Sequence, residues 1–272
     1  MFSWPLLRFN KSVITGSNAG ADVRVGRGLL AGLLVVASST VLIGCEVRGA
    51  SDYLISGNEA FKRNDYHEAE KDYRNALRIE PNSSTALNNL GVILNELGRY
   101  DESAQILGKA VQVDPNNEIA HYTLAQALLK IGKYDEAMSE ARAAIGLKDS
   151  DMHGHRALAE AALLKAEKDK DPKVVTVAVD EYHSILQADQ DDDQAHENLG
   201  SALALQGDKE AALSEEKKAV ELNPDNLTAR KQLARFLHEQ GNNADAIKEL
   251  DAVIQKDGSD QDARKLRSEI QG

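Results

Sequence analysis

The stretch Ser84–Asn117, STALNNLGVILNELGRYDESAQILGKAVQVDPNN, decides the fold. Leu87, Leu90, Gly91 and Leu94 recur at i, i+3, i+4 and i+7, which is one face of a helix with about 3.6 residues per turn. Gly98 supplies a turn, and Pro115 ends the helix before it, because proline lacks the N–H and the room to continue one. The same template returns along the chain: NALRIEPNS ends at Ser83, KAVQVDPNN at Asn117 and KAVELNPDN at Asn226. At the eighth place of the unit stand Gly57, Gly91, Ala125, Ala159, Gly200 and Ala234, at spacings of 34, 34, 34, 41 and 34. At the twentieth stand Ala69, Ser103, Ala137, Ala178, Ala212 and Ala246, and at the fifteenth Gly98, Gly132, Gly207 and Gly241, with Asn64 in the first unit. Small residues at two fixed places mark where helices cross closely. One unit alone cannot bury its apolar stripe, so neighbouring units have to stack.

The pattern resembles the tetratricopeptide repeat, a helix-turn-helix of 34 residues with Leu at place 7, small residues at 8 and 20, an aromatic at 11 or 24, Ala at 27 and Pro at 32. The second unit carries Leu90, Gly91, Leu94, Gly98, Tyr100, Ala110 and Pro115 at or beside those places. Place 32 holds Pro81, Pro115 and Pro224 in three units but Asp149, Gln190 and Gly258 in the others. The resemblance implies an all-α, right-handed α-solenoid of about six units, at 50–83, 84–117, 118–151, 152–192, 193–226 and 227–260. A capping helix at 261–272, with the charged run QDARKLRSEIQ, would close the stack with a polar outer face. The 41-residue spacing marks a seven-residue insertion in the fourth unit, within Lys165–Val177. Asp171 and Pro172 read as a helix N-cap and a proline at the first helical place, so two lengthened helix ends are expected to protrude from the ridge.

Composition agrees. The chain of 272 residues has 4% aromatics and five prolines, which favours helices over a β-sandwich. A net charge of -12 argues against a general nucleic-acid binder, and a single cysteine excludes an internal disulfide framework or a multi-cysteine metal site.

That cysteine, Cys45, follows the uncharged run Gly28–Gly44, GLLAGLLVVASSTVLIG. Upstream lie Arg8, Lys11, Arg24 and Arg27 against Asp22, a leader of +3. A basic n-region (1–27) and an apolar h-region (28–44) make a signal peptide of residues 1–44. Leu42, Ile43, Gly44 and Cys45 resemble the lipobox of bacterial lipoproteins, which implies cleavage before Cys45 and lipid attachment to it. Two other readings of the run stand: an uncleaved signal-anchor helix, since 17 residues is near the short limit for spanning a bilayer, and a soluble chain. The mature chain would carry 28 basic and 43 acidic side chains, a net charge of -15, and would lose Trp4, the one tryptophan. Residues 45–49 form the lipidated N-terminus and a short linker, and Glu46 after the cysteine favours the outer membrane by analogy with enteric sorting.

In the repeat family, partners usually bind the concave groove lined by the first helix of each unit. The matching places give Asn58, Asn88, Asn89, Asn95, Tyr122, Gln126, Arg156, Asn198, Lys231 and Arg235 as the candidate partner-binding groove, an amide-rich surface of mixed charge suited to a peptide or partner helix. Leu54, Ile119 and Thr123 stand where the family's clamp for chaperone-tail carboxylates has basic residues, so that ligand is rejected. His121, His155 and His196 share place 4 of their units, but units about 10 Å apart cannot share one ion, so packing or groove lining is the expected role. The run Asp189–Asp193 begins like a calcium loop yet has Gln194 and Gly200 where such a loop needs glycine and glutamate, so it is read as the turn capping the next helix. No catalytic motif, cofactor fingerprint, metal site or small-molecule substrate site is found, and an enzyme is not expected. The expected function is a membrane-anchored scaffold or assembly factor for a cell-envelope complex, held by lipid on Cys45. Its layout resembles pilotin-type lipoproteins of type IV and tight-adherence pili. The alternative is a periplasmic chaperone-like or adaptor module without a fixed complex.

Overall fold

The turn residues set where helices stop. Gly98, Gly132, Gly207 and Gly241 have φ of 71°, 77°, 95° and 80°, and Asn64 takes the same left-handed conformation at 61°. Between such turns the computed structural model, which describes residues 48–272, contains thirteen α-helices and no strand among those residues. They come in pairs: α1 (Ala50–Lys62) with α2 (Tyr66–Ile79), α3 (Ser84–Glu96) with α4 (Tyr100–Val113), α5 (Glu118–Lys130) with α6 (Tyr134–Leu147), and α7 (Met152–Asp169) with α8 (Pro172–Ala188). Then follow α9 (Asp193–Gln206) with α10 (Lys209–Leu222), α11 (Leu227–Glu239) with α12 (Asn243–Lys256), and α13 (Gln261–Gln271) alone. Cys45, the lipobox-like residues Leu42, Ile43 and Gly44, and the expected signal segment lie outside the described residues. No helix among the described residues is long and apolar enough to cross a membrane.

Each first helix after α1 begins on a side-chain cap from the last residue of the unit before. Ser83, Asn117, Asp151, Asp192, Asn226 and Asp260 each accept a backbone N–H two or three residues on, satisfying a donor that the helix start leaves free. The Asp189–Asp193 run is thereby explained: Asp192 caps α9, 2.9 Å from the Ala195 nitrogen.

Within a pair, the two helices cross where place 8 meets place 24. A Cβ on Gly57 would lie 2.7 Å from the Tyr73 ring, and one on Gly91 would lie 2.3 Å from Leu107 Cγ. Ala125 faces the matching place of its own unit, which holds the equally small Ala141. The serine at place 20 of the second unit is buried without cost because its hydroxyl donates to the Gly91 carbonyl at 2.8 Å. Across units, α3 packs on α5, α5 on α7 and α7 on α9, while no two of the described second helices come together to that degree. The more closely spaced layer is the inside of a curve, so the first helices form the concave face and the second helices the outer one.

Three histidines hold the pairs from a second point. His121 Nδ1 lies 2.6 Å from Glu140 and its Nε2 3.1 Å from the Pro115 carbonyl. His155 repeats this with Glu181 at 2.6 Å and the Asp149 carbonyl at 3.0 Å, and His196 with Glu215 at 2.5 Å and the Gln190 carbonyl at 3.1 Å. In the sixth unit Arg230 takes over, pairing with Glu249 and donating to the Pro224 carbonyl at 2.8 Å. Place 4 thus clamps its own second helix, through an acid at place 23, and the preceding turn. The role is packing, as its spacing suggests.

The insertion lengthens α7 to 18 residues and α8 to 17, with Asp171 capping α8 and Pro172 in its first turn. It does not protrude freely as expected. Ala166, Val174 and Val175 are buried, Lys165 reaches Asp135 at 2.9 Å, and Lys168 sits over the Tyr134 ring. Lys165 and Lys168 tie the added turns to the preceding unit, Val174 and Val175 are covered where α8 lies against α7, and 167–173 and Thr176 remain exposed. At the other end α13 buries Ala263 and Ile270 against the last pair and turns its charged residues outward.

One place breaks the apolar rule. Glu216 is fully buried at place 24, its Oε1 2.9 Å from where a Gly200 Cβ would be, and neither carboxylate oxygen has a hydrogen-bond partner among the described residues. Burial first, then the charges of Glu197 and Glu215, push its pKa up to about 9 from 4.5. A carboxyl whose pKa is higher folded than unfolded holds its proton longer in the folded state, so its contribution to stability falls as pH rises from about 4.5 toward 9. Glu216→Leu, which copies Leu107 and Leu250, should therefore raise stability by about 1–3 kcal/mol, more at pH 8 than at pH 5 in paired thermal melts. Gly91→Ala should cost about 1–3 kcal/mol in urea unfolding by overpacking Leu107. Adding Leu107→Ala, the third unit's solution, should make the double variant less destabilised than the two single losses combined.

Candidate functional site: the inner layer of first helices

The inner face is built from α1, α3, α5, α7, α9 and α11, and it holds all ten groove residues. Burial separates them. Asn88, Asn89 and Tyr122 are 5%, 2% and 1% exposed, so they belong to the interior and do not line an open groove. Asn58 explains why: its Oδ1 accepts from the Tyr73 hydroxyl at 2.7 Å and from Asn89 Nδ2 at 3.0 Å, and Asn89 in turn accepts from Asn88 at 3.3 Å. This amide chain ties the first unit to the second. Tyr122 stacks on His153 with ring centroids 5.0 Å apart, which draws it between α5 and α7.

Two charged candidates also serve the stack. Arg156 donates to Asp192, the cap of α9, and Lys231 reaches Asp260, the cap of α13, at 2.8 Å. Asn226, the cap of α11, donates to Glu197 at 2.8 Å. All three inner-face partners occupy place 5 of their unit, so in the fourth, fifth and sixth units place 5 joins the first helix to the start of the next. Sequence spacing alone could not show this, because the partners stand 29 to 36 residues apart.

The other candidates stay accessible. Gln126 and Asn198 are partly exposed, and Arg235 is exposed with a bond only to Gln232 at 2.9 Å. Asn95 donates to the Thr123 carbonyl at 3.2 Å, bridging α3 and α5.

Sequence reading missed what marks one part of this face. Asn88 Oδ1, Asn95 Oδ1, Glu118 Oε1, the Tyr122 hydroxyl and Thr123 Oγ1 are buried polar atoms with no partner among the described residues, and all five lie on α3 and α5. Buried polar atoms are nearly always paired, so this group stands out within the interior of the stack. Two carboxyls beside it are shifted. Burial raises Glu118, with Asp151 adding to it, and burial pushes Glu160 up to about 7 against the opposing charges of Lys130 and Arg156. No cluster of three or more His, Cys, Asp or Glu among the described residues could hold a metal.

Family models described as tetratricopeptide repeat match residues 94–161 and 203–270, and a second such model matches 56–118 and 175–226. No curated protein sequence matches the chain. Among solved structures, a thermophilic TPR protein from Thermus thermophilus is 22% identical with a TM-score of 0.55, over 70% of this chain and 99% of that one. The pilF protein of Pseudomonas aeruginosa is 15% identical with a TM-score of 0.66, over 81% of this chain and 97% of that one. PilW, described as a widely conserved type IV pilus biogenesis factor, is 14% identical with a TM-score of 0.68, over 80% and 97%. At these identities the likeness is one of fold.

Substitutions should sort the face by use. Arg156→Ala should lower unfolding free energy by about 1 kcal/mol through loss of its bond to the α9 cap. Gln126→Ala and Asn198→Ala should stay within about 0.5 kcal/mol of the parent in the same urea titration, because neither holds the stack.

Proposed function

The chain belongs to the tetratricopeptide-repeat family, whose members bind protein or peptide partners, and on that premise we propose that it is a lipid-anchored scaffold or assembly factor of a bacterial envelope complex. The observation that carries the reading is the run of accessible polar side chains Gln126, Asn198 and Arg235 along the first-helix face, which can give an extended peptide or a partner helix hydrogen bonds.

The anchor rests on the order of basic leader, apolar run and Leu42-Ile43-Gly44-Cys45. Two or more acyl chains on Cys45 would hold the protein stably, and the acidic mature chain would stay off anionic headgroups. The short linker before α1 keeps the first unit close to the membrane, and the outer membrane's periplasmic face is the favoured site. The fold likeness to pilF and to PilW supports pilus or secretion machinery as the first place to look for the partner.

Two measurements test this. Intact-mass analysis of the membrane fraction should find a mature N-terminus at Cys45 carrying acyl chains, and Cys45→Ala should release the protein from the membrane. An N-terminus upstream of Cys45 would end the lipoprotein reading. Crosslinking followed by mass spectrometry should return one stoichiometric envelope protein; a spread of unrelated clients would favour a chaperone-like module instead.

A further inference from the structure

We propose that the outer layer carries a second docking site, a cleft between α2 and α4 that takes an apolar protein segment rich in Asp and Glu. The inference goes beyond the inner face, since none of the ten groove residues touches it.

The cleft has a volume of about 750 Å³, within the usual range for a ligand-binding cavity. Its floor is Leu77, Leu87, Leu90 and Ile106. It opens where the stack omits a fixture. In the third, fourth and fifth units, places 4 and 23 hold the His–Glu clamp, and in the sixth an Arg–Glu pair. The second unit has Leu87 and Ile106 at those two places. Its clamp is therefore missing, the seam between α3 and α4 is apolar, and Pro81, whose counterparts Pro115, Asp149, Gln190 and Pro224 each accept a side-chain N–H, lines the cleft without such a donor among the described residues. A peptide can supply both what the floor and what that carbonyl lack: apolar side chains and a backbone N–H.

Charge fixes the kind of peptide. The rim carries His67, Lys71, Arg74, Arg78 and Lys109 against Glu70, in a chain of net charge -12. Some of this is already matched, since Lys71 pairs with Glu68 at 3.1 Å and Arg74 with Glu70 and Glu102. Among the described residues, Arg78 donates only to the neutral Asn75, at 2.7 Å, and Lys109 meets no acidic group. Two exposed cations without an acid, beside an apolar floor, complement an acidic amphipathic segment and repel a basic one. The lining runs from His67 to Pro81, about 20 Å at 1.5 Å per residue, the span of a few helical turns or a short extended strand.

The test uses the lipid-free mature chain and three short fluorescent peptides, built from Leu and Glu, from Ala and Glu, and from Leu and Lys, read by anisotropy. The Leu/Glu peptide should bind and weaken with salt, and the other two should bind at least about tenfold more weakly. Arg78→Glu with Lys109→Glu, both exposed and outside the core, should weaken it about tenfold or more. Leu87→His with Ile106→Glu, which installs the clamp of the next three units, should abolish binding while leaving the helical melt intact. Equal binding by the charge-reversed variant, or equal binding of the Ala/Glu peptide, would overturn the proposal. So would binding to phosphatidylglycerol vesicles that depends on Arg78 and Lys109 when the peptide does not bind, which would make the cleft a membrane contact. Failure here leaves the envelope crosslinking result untouched, so the two readings stand or fall separately.

Discussion

The whole structure depends on how closely two helices can approach at one crossing per unit. With Gly at place 8, the facing place can hold a ring or a branched chain, as in Gly57 with Tyr73 and Gly91 with Leu107. In the third unit both places hold a small residue, Ala125 and Ala141, and both are fully buried. The crossing fixes the angle of each pair, and the angle repeated fixes the curve, so residues that carry no chemistry determine which surfaces can. Caps, clamps and inner-face bonds then hold a geometry already set by size.

That geometry divides labour between layers. Place 5 lies toward the next unit, so Arg156, Glu197 and Lys231 hold the stack together, while places 6 and 9 leave Gln126, Asn198 and Arg235 in reach of solvent. On the outer layer the clamps at places 4 and 23 close the seam between paired helices. Where they lapse, in the second unit, apolar floor and basic rim are left open. A repeat protein gains a site in this way by local omission, without any change of fold.

The period and the turns between paired helices were legible because they are one-dimensional: a small residue recurring at fixed places survives any substitution between them. The rejection of a histidine metal ladder also stood on spacing. The true partners of those histidines show the same period, since Glu140, Glu181, Glu215 and Glu249 march in step with His121, His155, His196 and Arg230, but two parallel periods do not say which residues touch. The groove was legible as a face and not as a surface. Family places give direction; whether Asn88 or Tyr122 is open depends on what the neighbouring unit puts over it, and the bond from Asn89 to Asn58 spans 31 residues. The insertion differs from expectation for a related reason: Val174 and Val175 look like surface additions until α7 lies beside them.

Glu216 reaches beyond its own place. The main apolar core runs from Leu87 to Ala212, and a second one begins at Leu213 and takes in α11, α12 and α13, with Phe236 packed against both. The division falls on α10, one turn before that carboxyl, so a polar atom without a partner stands where the oil of the stack would otherwise be continuous. In a linear array, cooperativity passes only from neighbour to neighbour. The C-terminal units are therefore joined to the rest across a thinner apolar seam, and amide exchange is expected to show them opening more readily than the central stack.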